Sequence, residues 1–194
     1  AYSNVNIHED LNIYKDTNVM NTLTVNNNIN TKQNLNITDT LNVDQNVNAY
    51  SNLNTHGHFN VYKNAYVMKT LTVDANINTK QNLNIIDTLN IGQNVNAYSN
   101  INVYSNINAH SNINIKNDLN VSEITNLLNN AYTHNITNTG HLINTNYAHF
   151  QNNVVITNNL DVNSNINIKD SVYIKRNLNV ANYAYIDNLE VGNI

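Results

Sequence analysis

The stretch NLNITDTLNVDQNVNAYSNLN, residues 34–54, decides the fold. Its aliphatic residues come in pairs, Leu35 with Ile37, Leu41 with Val43 and Val47 with Ala49, and the pairs recur every six residues. Inside each pair stands one asparagine: Asn36, Asn42 or Asn48. Apolar residues at i and i+2 with a polar residue between them are strand periodicity, because successive side chains on a strand face opposite ways. A helix would need apolar residues at i, i+3, i+4 and i+7, which this pattern does not supply.

The step of six reaches far beyond this stretch. From Val5 to Leu119 the first apolar position is occupied twenty times, and only Thr17 is polar; the second position runs from Ile7 to Val121. Leu83/Ile85, Leu89/Ile91 and Ile113/Ile115 repeat the pairs already quoted, around Asn84, Asn90 and Asn114. The residue before each triplet is Asn, Asp or Thr almost throughout, as at Asn34, Asn46, Asn82, Asn94 and Asp118, with His58 as the exception. A longer duplication lies over the hexads: the segment from Val19 recurs from Val67, an offset of 48 residues that keeps the six-residue phase.

A lone three-residue strand cannot bury its apolar side. Stacking solves this: each short strand pairs with equivalent strands above and below, corners fall every six residues, and all apolar residues point inward. The pattern therefore predicts an all-β fold, a β-solenoid (β-helix) of six-residue rungs about 4.8 Å apart. Like side chains then form columns, apolar within (Leu35, Ile37, Leu41, Val43, Leu83, Ile85, Leu89, Ile91, Ile113, Ile115). Outside, an Asn ladder through Asn36, Asn42, Asn84, Asn90 and Asn114 bonds from rung to rung, as amide side chains do in cross-β stacks. This gives 52 asparagines in 194 residues a physical role. With no proline and four glycines, the corners are expected to turn through Asn, which tolerates the left-handed region.

Two architectures satisfy a hexad. A single chain can wind into a triangular prism with three hexads per coil, or three chains can intertwine about a threefold axis. An eighteen-residue modulation would mark the prism. The smaller residues of the second column, Thr31, Ala49, Thr55, Thr79, Ala97 and Ala109, show none, so symmetry favours the homotrimer. Twenty hexads would give a trimer about 95 Å long and a prism about a third of that.

The pattern breaks between Ser122 and Asn153. Leu127, Leu128 and Ala131 suit a short helical turn, or the segment holds degenerate rungs with a phase slip near Leu142. The hexad resumes at Val154/Ile156 and continues through Val172/Ile174, Leu178/Val180 and Ala184/Ile186 to Leu189/Val191, one residue early. The chain thus divides into a regular solenoid over 1–121, an irregular collar or degenerate repeats over 122–153, and a second solenoid segment over 154–194. Because the repeats start and stop without caps, a longer fibre or end-to-end stacking is expected.

Charged residues make up 11% of the chain and the net charge of −4 is dispersed, with no basic stripe to neutralise phosphates, so nucleic acid is not an expected partner. No long apolar run calls for membrane insertion. The absence of cysteine removes disulfides and thiolate metal sites.

The alternation in NLNITDTLNVDQNVN resembles the hexad repeats of viral and bacteriophage tail-fibre shafts, with Asn where those often carry glycine. It is similar, more loosely, to bactofilin-like filaments and to the left-handed β-helices of hexapeptide-repeat proteins. The viral resemblance implies a trimeric, rigid spacer on the outside of a cell or on a virion surface.

Candidate sites are few. His56 and His58 form a His-x-His that could gather metal on a threefold axis, but both share the outward parity of Asn54, so no metal or other cofactor is expected. Asn36, Asn120 and Asn135 open Asn-x-Ser/Thr acceptor motifs for glycosylation. Tyr50, Tyr62, Tyr98 and Tyr104 sit one residue past a triplet, where half-buried corner packing is expected. No nucleophile elbow or phosphate loop is present, and no loop singles out a histidine, so an enzyme is not expected. The sequence points to a structural rod, a fibre shaft or self-assembling filament subunit, with a virion appendage preferred. The alternative is a solenoid adhesin, an ice- or glycan-binding module that presents outward Asn, Thr and Tyr rows to a ligand or surface receptor.

Overall fold

A computed structural model describes residues 3–191, with side chains described as far as Tyr185. It is an all-β parallel solenoid of about ten turns, with thirty strands and no helix among the described residues. From Val5–Ile7 to Ile113–Ile115 every strand is one three-residue triplet of the sequence pattern. Each pairs in parallel with the strand one turn away in the same chain: Leu41 opposes Phe59, Phe59 opposes Ile77, and Ile77 opposes Val95. A hexad is thus one side of a turn, and a full turn takes eighteen residues on three sides. Ten turns at about 4.8 Å each give a column about 48 Å tall.

Two sides are joined into one twenty-stranded sheet and the third stands alone as a ten-stranded sheet. The join lies near the C-terminal end, where strands Ile166–Ile174 and Ala184–Val191 run straight across a corner. Their register shifts between Ile168 and Ser171, so Ile174 opposes Val191 one residue early. The side chains of Ile186, Leu189 and Val191, expected to continue the apolar columns, lie outside the described residues.

From Leu23 to Ile174 the first and last residues of each triplet are buried, whereas Leu178 in the last turn is 37% exposed. Leu35, Ile37, Leu41, Val43, Leu83, Ile85 and Leu89 are fully buried, and Ile91, Ile113 and Ile115 are nearly so. Bulk is balanced within a turn: fully buried Phe59 shares its turn with Ala65, also fully buried. Such exchange keeps core volume near constant. The small residues sought in the sequence do stack one turn apart, Thr31 against Ala49 and Thr79 against Ala97.

The corners turn without any residue of positive φ among those described, which corrects the expectation of left-handed asparagines. Bends at ordinary dihedrals suffice, and the corner asparagines act between turns instead. Asn46 is representative: its carbonyl accepts from the Ile29 amide, while its own N–H is held by the Asn28 side-chain oxygen at 3.1 Å.

Residues 122–153 also form strands, among them Thr125–Leu127, Ala131–Thr133, Asn135–Asn138, Leu142–Asn144 and Ala148–Phe150. The phase slip lies before Leu142, at the corner where His134 alone separates two strands. Three successive pairings, Leu119 with Ile136, Thr125 with Leu142 and Ala131 with Ala148, therefore span seventeen residues instead of eighteen. Two core positions here are asparagines that find partners inside. Asn138 donates to the Thr125 hydroxyl at 2.6 Å and accepts from the Gly140 amide at 2.8 Å, and Asn144 accepts from the Asn146 amide at 2.9 Å. Bonding of this kind offsets the cost of burying an amide.

Candidate functional surfaces: amide ladders and a tyrosine–lysine groove

Two kinds of amide row run up the column. In the first, the asparagine at the middle of each triplet donates its side-chain N–H to the side-chain oxygen of the equivalent asparagine one turn earlier. The longest run links Asn42, Asn60, Asn78, Asn96 and Asn114 at 2.8–3.2 Å. A second side carries Asn12, Asn30 and Asn48, is interrupted at Tyr66, and resumes at Asn84, Asn102 and Asn120. On the third, Asn36 donates to Asn18 and accepts from Asn54, Thr72 interrupts, and Asn90, Asn108 and Asn126 continue. In the Asn42–Asn114 run each inner amide keeps one N–H and one lone pair for the outside.

The second row explains the alphabet before each triplet. There the side-chain oxygens of Asp10, Asp16, Asn28, Asn46, Asn64, Asn82 and Asn94 each accept from the backbone N–H one turn later, at 2.9–3.3 Å. His58, the outlier in sequence, accepts from the Asn76 amide through Nδ1 at 3.4 Å and so does the same work. At these positions the side chain serves as an acceptor, whereas Thr22 and Thr70 at the same place donate instead, to Asp39 and Asp87.

His56 and His58 do not converge. Both are exposed, and His56 Nδ1 meets the Asp74 carboxylate 2.5 Å away on the next turn. No group of three or more metal-ligating side chains occurs among the described residues. The three acceptor asparagines are engaged: Asn36 and Asn120 sit in mid-triplet ladders, and Asn135 donates to Asp118 at 2.7 Å.

The corner residues just past the triplets form ridges. Tyr50, Tyr62, Tyr98 and Tyr104 are 51–60% exposed. On one ridge Tyr62, Lys80, Tyr98 and Lys116 follow one another turn by turn. The Lys80 ammonium lies 4.1 Å from the Tyr62 ring centre and the Lys116 ammonium 4.2 Å from that of Tyr98. Such cation–π contacts hold long side chains upright that would otherwise be mobile. Between this ridge and the longest amide ladder runs an open groove of about 830 Å³. Its lining includes the ladder from Asn42 to Asn114, the four ridge residues, and Tyr132 and His149 at one end.

That end is aromatic. Tyr147 and His149 stack with ring centres 6.3 Å apart, and Tyr132 lies within 6.2 Å of both. Burial, followed by the nearby Lys169 charge, pushes the His149 imidazolium below its ordinary range. The lining includes two lysines and a histidine but no carboxylate, although the chain carries a net charge of −4.

The sequence signalled the tyrosines but not their alternation with lysine, which emerges only when the chain is read at eighteen-residue steps. Comparison with protein-family models, curated proteins and solved structures finds no match.

Proposed function

We propose that this chain is a structural rod, the shaft of an extracellular fibre or a subunit of a self-assembling surface filament, with a virion appendage as the preferred setting. The observation that carries the reading is the continuity of the column: parallel pairing persists over about ten turns, with amide ladders on all three sides. Hydrogen bonds along the axis on every side resist bending as well as stretching, the mechanical property a shaft needs.

Within this reading the unit is the single-chain prism. Its support is closure: each inner strand finds both neighbours in its own chain, and the apolar columns are covered by the three sides of that chain. A threefold trimer remains the competing assembly, favoured by the uniformity of the hexads. Light scattering separates the two, because the prism has a mass of 21.9 kDa in solution and the trimer three times that. Negative-stain images and antibody labelling of the source material test the role itself. Rods or filaments decorated by antibody agree with the proposal; diffuse labelling of isolated particles, none joined into longer structures, contradicts it.

A further inference from the structure

Beyond a shaft role, we infer that the groove between the Asn42–Asn114 ladder and the Tyr62–Lys116 ridge binds an extended acidic polysaccharide lying parallel to the column axis. Three features converge on that ligand class. The floor offers, at every turn, one free amide N–H and one free carbonyl lone pair, a regular donor and acceptor row suited to sugar hydroxyls. The wall offers Tyr62 and Tyr98 two turns apart, about 9.6 Å. An extended β-linked glycan repeats over a similar distance, presenting alternate sugars in the same orientation, and tyrosine faces suit the apolar faces of pyranose rings.

Charge selects an acidic chain over a neutral one. Lys80 and Lys116 stand between and beyond the tyrosines, each held by a ring, and Lys169 follows further along the same corner with His134 and Gln151 between. No carboxylate lines the groove. Asp44 stands on this corner one turn before Tyr62, and from Tyr62 onward the groove is a local reversal of sign in a protein of net charge −4, which draws an anion to this face.

The duplication places a related set, Tyr14, Lys32 and Tyr50 beside Asn12, Asn30 and Asn48, on another corner. There Met68 and Ile86 follow Tyr50 on the corner, where Lys116 follows Tyr98 in the groove, and Tyr66 interrupts the ladder. That ridge lacks both the length and the charge of the groove. A single-stranded nucleic acid would also use rings and lysines, but the hydrogen-bonding floor faces where bases would need further stacking surfaces, so the glycan is the better match.

The test is calorimetric titration of the full chain with three probes: galacturonic acid oligomers, heparin oligosaccharides and neutral cello-oligosaccharides, with poly(U) as a fourth arm. Expected is binding of at least one acidic glycan, weakened tenfold or more in K80Q/K116Q and in Y62A/Y98A, and unchanged in K175Q, which removes a lysine from outside the groove. Carboxylated and sulfated sources of the anion are told apart by which of the two acidic probes binds. All substituted side chains are exposed or at the surface, and an unchanged circular dichroism spectrum confirms folding of each variant. The inference is overturned if neither acidic glycan binds, if neutral oligomers or poly(U) bind more tightly, or if K80Q/K116Q binds as the parent does.

Discussion

Replacing Asn46 with alanine tests the reason for asparagine before the triplets. The Asn46 side-chain oxygen accepts the backbone N–H of Asn64 at 3.1 Å, and no other acceptor is found for that N–H. The Asn64 carbonyl is already taken by the Val47 amide, so the chain cannot shift to compensate without losing a second bond. Asn46→Ala leaves a half-buried backbone donor unpaired, at a cost of about 1–2 kcal/mol. Asn46→Asp keeps that acceptor in place, as Asp10 and Asp16 do natively, and costs about 0.5–1 kcal/mol through the lost Asn46 side-chain N–H bond to Asn28, without exposing the Asn64 amide. Since solenoids unravel progressively, the local readout is hydrogen exchange. The Asn64 amide should exchange about five- to thirtyfold faster in the alanine variant and near the parent rate in the aspartate variant. Equal acceleration in both, or none in either, refutes the acceptor argument.

Three further outcomes follow from other positions. The Thr79 hydroxyl is buried without a partner whereas that of Thr31 donates to the Gln33 carbonyl at 2.7 Å, so Thr79→Val should raise stability by about 1 kcal/mol and Thr31→Val lower it by a similar amount, read from urea midpoints. A Cβ at Gly140 would collide with the Glu123 backbone carbonyl, so Gly140→Ala should cost about 1–3 kcal/mol in the same assay. His149 binds its proton more weakly in the folded chain than in the unfolded one, among Tyr132, Tyr147 and Lys169. Its contribution to stability is complete above its ordinary value of 6.5 and is lost as pH falls from there through the lowered folded value. His149→Gln should therefore flatten the fall in urea midpoint between neutral and mildly acidic pH.

Much of this fold was legible in the hexad because a strand's two-residue alternation leaves little freedom: Leu35 with Ile37 and Leu83 with Ile85 had to face one way and Asn36 and Asn84 the other. The eighteen-residue turn was hidden by the duplication. An offset of 48 residues is two turns and two further sides, so Thr31 over Ala49 reappears as Thr79 over Ala97 on a different face and smears any modulation. For the same reason the groove was not visible, since Tyr62, Lys80, Tyr98 and Lys116 are neighbours only once the turn length is known. The slip was expected near Leu142, where the apolar pattern visibly restarts, but the missing residue is at the corner around His134. Corners carry no apolar signal, so a deletion there shows in the sequence only at the next strand. The left-handed asparagines failed for another reason: propensity describes what Asn can do alone, and here its side chain serves the turn above.

The most direct test of the eighteen-residue turn uses the absence of native cysteine. Asn78 and Asn96 face each other one turn apart, so cysteines at both positions lie within the reach of a disulfide, about 4.4–6.8 Å between Cα atoms. Oxidation of dilute N78C/N96C should give an intramolecular bond in a monomer, while N78C/N90C, two sides away, should remain reduced. Cross-linked dimers or trimers from N78C/N96C, or an internal bond in N78C/N90C, would contradict a single chain closing on itself every eighteen residues.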